Sequence, residues 1–142
     1  MKQFHISDVL SVTTGRLVSS RHIDGIYEIL NFLTGDELFT HQLPRAMREC
    51  EPWLRMQFPQ LFPEDPKTAA LLDKLSIDME ACREDDRKAI ITDWVALVRD
   101  AHGLPDMLMI YEMGSDMHTH IDPVAEAEAM VGDGRVVVVH VE

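Results

Sequence analysis

The chain has 142 residues, 46% hydrophobic and 27% charged, with a formal net charge of -12 at pH 7. This is the size and composition of one ordinary domain that can bury a core without disulfides or metal, which excludes disordered and fibrous classes. The two cysteines, Cys50 and Cys82, form no CxxC or zinc spacing and are expected as free thiols.

The charge is unevenly spread. Residues 1–60 hold six basic and seven acidic side chains, a net of -1; residues 61–142 hold seven basic and eighteen acidic, a net of -11. Such a balance argues against direct nucleic-acid binding, which needs Lys and Arg to displace counterions. It suits a protein partner with a basic surface, or a solvated face that aids solubility. Residues 1–10 carry one lysine and no long apolar run, so no secretory leader is expected. No stretch approaches the roughly 18 apolar residues of a membrane span. The compartment expected is the cytoplasm.

In chain order, residues 2–6 alternate loosely and predict a short edge strand. Ser7 is placed to cap a first helix that ends at Gly15. From Ser20 to Gly35, Ile23, Ile26, Tyr27 and Leu30 recur at i, i+3, i+4, i+7, which puts them on one helical face with Leu33 extending it. Gly25 inside that helix costs about 1 kcal/mol relative to alanine, a cost that close packing against a neighbour would offset. Pro44 fits the first turn of a helix running through Met47 and Cys50. Pro52 is expected to break or kink it, with Trp53, Leu54 and Met56 continuing the apolar face, and Pro59 and Pro63 marking a loop.

Asp65-Pro66 reads as N-cap and first position of a helix reaching Ala81. Residues 82–88 are strongly charged and predict a turn or an exposed helical bend. Ile90, Ile91, Trp94, Val95 and Val98 keep a helical period, closed by His102-Gly103 and Pro105. Met107–Glu112 and Arg135–Val141 read as strands, the second with four successive valines. A short helix begins at Asp122-Pro123 and runs through Met130, and residues 132–134 make a turn. The two strands pair either in parallel, through a right-handed crossover, or antiparallel. The fold expected is α+β: five or six helices with a small C-terminal sheet of two or three strands, in one domain. Residues 1–60 form a near-neutral helical scaffold, 61–106 an acidic helical segment, and 107–142 a strand-helix-strand unit.

Several groups of residues bear chemistry. His118 and His120 lie two apart, so in an extended strand both point to one side and can share a metal with Asp122; Asp122 has a simpler role as a helix cap. Arg21, His22 and Asp24 gather at a helix start, where Asp24 complements the dipole. His41, Gln42 and Arg45 stand at a helix entrance and could hold an anion. Glu84, Asp85 and Asp86 offer an acidic contact face. Met107, Met109, Met113, Met117 and Met130 suit either a core or an adaptable surface. There is no nucleophile elbow, no readable Cys–His pair and no Gly-rich phosphate loop. No catalytic residue and no cofactor are expected.

Residues 8–18, 22–35 and 41–46, and more weakly 120–126 with the valine run, resemble a family of small proteins encoded by bacteriophages and prophages. That family has no settled activity. The resemblance implies an accessory protein of the infected bacterial cytoplasm, and small acidic proteins of that kind act by binding and blocking host proteins, defence nucleases among them. The expectation is therefore a non-enzymatic accessory protein that binds a host or phage protein through Glu84, Asp85 and Asp86, with His41, Gln42 and Arg45 as a second contact. The alternative is a small metal-dependent hydrolase using His118, His120 and Asp122. A third reading is a homo-oligomer formed through the sheet edge.

Overall fold

In a computed structural model describing residues 1–131, six α-helices and two short strands follow one another. They are β1 (Lys2–His5), α1 (Ile6–Thr14), α2 (Ile23–Thr34), α3 (Leu43–Gln57), α4 (Pro66–Ala81), α5 (Arg87–Ala101), β2 (Met107–Ile110) and α6 (Pro123–Val131). The chain is mostly helical, as expected, but the sheet of the described residues joins residues 2–5 to 107–110 and does not pair two C-terminal strands. β1 pairs antiparallel with β2, with Lys2 opposite Ile110 and His5 opposite Met107. The strand expected over 135–141, the turn at 132–134 and the pairing proposed for them lie outside the described residues.

The strand β1 runs straight into α1, which moves the cap. His5 keeps an extended backbone, and its ring Nδ1 accepts from the Ser7 N–H at 3.1 Å. Ser7 is therefore not the cap. Its hydroxyl lies 2.8 Å from the same Nδ1 and accepts from the Ser20 N–H at 3.3 Å. Residues Ile6 to Thr13 are all buried, so α1 is the central rod against which α2, α3 and α5 pack. Gly15 closes it in the left-handed region at φ 71°, where a Cβ would be unfavourable.

Helix α2 begins at Ile23, two residues later than a cap at Ser20 would place it, and its N-cap His22 makes no side-chain capping bond. The delay has a physical cause: residues 18–21 are tied to α1. The Val18 N–H donates to Ser11 Oγ at 3.0 Å, the Ser19 hydroxyl to Asp8 Oδ1 at 2.5 Å, and Arg21 to Asp8 Oδ2 at 2.6 Å.

Pro52 neither ends nor splits α3, which continues to Gln57. Both Pro52 and Arg48 are exposed, so the turn that lacks the Pro52 hydrogen bond lies on the solvent side of α3, where such a loss is tolerable. Asp65 caps α4 by accepting from the Thr68 N–H at 3.1 Å, and α4 ends at Ala81. Among the described residues, seventeen of the twenty-four buried apolar side chains lie in residues 1–62. The α4–α5 hairpin adds only Leu75, Trp94, Val95 and Val98 to that core, so most of its surface remains in solvent.

Candidate functional site

Two of the expected sites meet in one place. His41, Gln42 and Arg45 sit at the start of α3, and the anion they hold is the chain's own Glu126. The Gln42 amide donates to Glu126 Oε1 and to the Ile121 carbonyl, both at 3.0 Å. Arg45 donates to both Glu126 oxygens, Nε to Oε2 at 2.7 Å and Nη2 to Oε1 at 2.8 Å, and through Nη1 to the Thr119 carbonyl at 2.7 Å. His41 Nε2 lies 2.7 Å from the Pro123 carbonyl. Gln42 is 1% exposed, and a buried carboxylate needs this degree of partnering. The bidentate Arg45 contact pulls the Glu126 carboxyl down to about 2, against the upward push of its burial and with help from Gln42.

The histidine pair belongs to the same clasp. His118 is buried between two carboxylates, Nδ1 at 2.7 Å from Glu49 Oε1 and Nε2 at 3.0 Å from Asp36 Oδ2. His120 Nδ1 reaches the same Asp36 oxygen at 2.7 Å. Burial pushes Asp36 up, but the hydrogen bonds from His118 and His120 outweigh it and hold the group below the usual carboxylate range. Asp122 stands apart from the pair and caps α6, accepting from the Ala125 N–H at 3.1 Å. Among the described residues no group of three or more His, Cys, Asp or Glu side chains is arranged to hold a metal ion.

Glu84, Asp85 and Asp86 form the exposed turn joining α4 to α5. They are flanked by Arg83, Arg87 and Lys88, so the tip carries three charges of each sign. None of these six side chains makes an ion pair among the described residues. Elsewhere the lengthwise charge imbalance is partly cancelled in space, since Arg45 meets Glu126, Arg55 meets Glu64, and the N-terminal amine meets Glu112. Asp8 stands in the first turn of α1, where the helix dipole favours an acid, but sequence reasoning missed that it is 0% exposed and held by Ser19 and Arg21. It also missed a cleft of about 500 Å³ between the 16–22 loop and the α4–α5 hairpin. A glycine inside α2 was the one sign of the first; nothing local marks the second.

Residues 4–64 match a domain of unknown function, DUF7736. The match runs from the second half of β1 through α3 and the following turn, and so includes Asp8 and the Gln42–Arg45 cradle but not Glu126. No curated protein and no solved structure shows significant similarity to the chain. Among the described residues no helix is long and apolar enough to cross a membrane.

Proposed function

We propose that the chain is a non-enzymatic binding domain that meets the basic surface of a host or phage protein through the α4–α5 tip. One observation carries this reading: Glu84, Asp85 and Asp86 are exposed at the end of a helical hairpin and make no ion pair among the described residues. Charges so placed act on encounter rate and partner choice more than on folding. His41, Gln42 and Arg45 are engaged by the chain's own residues, so the contact is argued from the tip alone. The inhibitory, anti-defence form of the reading is supported by the phage resemblance and by nothing geometric.

The test is capture from infected bacterial cells by the immobilised protein, alongside a variant with Glu84, Asp85 and Asp86 reversed to lysine. The expected result is a protein retained by the parent chain, released by added salt and lost by the variant. Retention that ignores both salt and charge reversal would reject the reading. The hydrolase alternative would require His118 and His120 to leave Asp36 and Glu49. Stoichiometric zinc, manganese or iron in untagged protein, with a thermal shift on metal addition, would favour it instead.

A further inference from the structure

A cavity lies where the 16–22 loop faces the α4–α5 hairpin. Its floor is apolar: Leu17, Val18, Met79, Ile91, Val95 and Ala96 line it. Its volume, about 500 Å³, falls within the range of small-molecule sites, roughly 300–1,000 Å³. Leu17 is 48% exposed, a large apolar side chain left beside an apolar hollow.

The rim decides the chemistry. Arg99 also borders the cleft, but its guanidinium is taken by Asp100 and by Asp106, at 2.9 and 2.6 Å. Arg87 and Lys88 border it with no ion-pair partner among the described residues, against one similarly unpartnered acid, Glu84. In a chain of net charge -12, the rim of this hollow thus presents two free cations to one free anion. His22 stands on the same rim at φ 56°, the one non-glycine residue with positive φ among those described.

We propose that this cleft binds a small amphipathic anion, an aliphatic or aromatic carboxylate whose apolar body lies on the Leu17–Ile91–Ala96 floor and whose head meets Arg87 and Lys88. Apolar burial supplies most of the affinity, and the two cations supply the preference for negative charge. The cleft shares Glu84 with the partner contact proposed above, but its test needs only the purified chain and a small ligand, so the two readings fail separately.

Equilibrium dialysis with labelled decanoate tests it, with decanol and decylamine as neutral and cationic counterparts. Decanoate is expected to bind saturably, one per chain, and roughly five- to tenfold more tightly than decanol. In R87Q/K88Q the preference should vanish, while E84Q should tighten decanoate. A96F, which fills the floor, should abolish binding of all three. Equal affinity for decanoate and decylamine, or an unaltered preference in R87Q/K88Q, would overturn the proposal, as would the absence of saturation. If A96F does not fold, the exposed R87Q/K88Q pair decides the matter.

Discussion

Gly25 leaves no room for a side chain against the carboxylate of Asp8. A Cβ at that position would lie 3.1 Å from Asp8 Cγ and closer still to Asp8 Oδ1 and Ser19 Oγ. The glycine in α2 is therefore a packing requirement, and the helix-propensity cost is offset by a fully buried carboxylate that joins α1, the 18–21 loop and α2. Gly25→Ala is expected to destabilise the protein by on the order of 1–3 kcal/mol, because both polar neighbours must shift out of their hydrogen bonds. Denaturant melts of the parent and the variant measure this directly; an unchanged midpoint would contradict it.

The Arg45–Glu126 pair should be strongly coupled. Both side chains are largely shielded, at 15% and 7% exposure. Removing Glu126 takes the acceptor from Arg45 Nε and Nη2 and from one Gln42 N–H, and removing Arg45 leaves the Glu126 carboxylate with Gln42 as its remaining side-chain donor. Glu126→Ala should cost roughly 1–3 kcal/mol and make residues 114–131 the first region cut in limited proteolysis. A double-mutant cycle with Arg45→Ala should return a coupling of about 1 kcal/mol or more. Additive losses would show that α6 is held by something else.

Acid should loosen the same clasp. Asp36 and Glu126 have folded pKa values below their ordinary 3.8 and 4.5, Glu126 reaching about 2. A carboxyl depressed on folding contributes stability that is fully present above its unfolded pKa and is lost as pH falls through the folded one. The melting temperature is thus expected to fall as pH drops from about 4.5 toward 2, and more shallowly in E126Q and D36N. Glu64 and Asp106 are also depressed, by Arg55 and Arg99 respectively, but both are exposed surface pairs whose contribution is small.

Reversal of Glu84, Asp85 and Asp86 to lysine should leave stability within about 0.5 kcal/mol of the parent, since exposed side chains with no ion-pair partner among the described residues contribute little to folding. Early melting of this variant would assign the tip a structural role and remove the argument for a contact surface there.

The two thiols should differ sharply in reactivity. Cys50 is fully buried, and burial, with a smaller push from Glu49, raises its pKa to about 12. Cys82 is half-buried at the end of α4. Thiol labelling of the folded protein should give one fast equivalent, and the second only at the rate of unfolding. Two fast equivalents would mean that the α3 core opens readily.

Local chemistry was readable from the chain because caps, prolines and apolar periods act over a few residues. Asp65-Pro66 begins α4 and Ala81 ends it as the caps imply, and α6 starts at Asp122-Pro123 for the same reason. Pro105 and the apolar run after it located β2. What the sequence could not decide was every relation between distant segments. The partner of β2 is β1, some hundred residues earlier, because α1 and α5 bring those two strands side by side. The anion suited to His41, Gln42 and Arg45 is Glu126, and the acids suited to His118 are Asp36 and Glu49; each pairing spans roughly 70 to 85 residues and leaves no local signature. A cap is completed by its own neighbours, whereas a buried carboxylate or a two-stranded sheet is completed only by whatever the packed core sets opposite it.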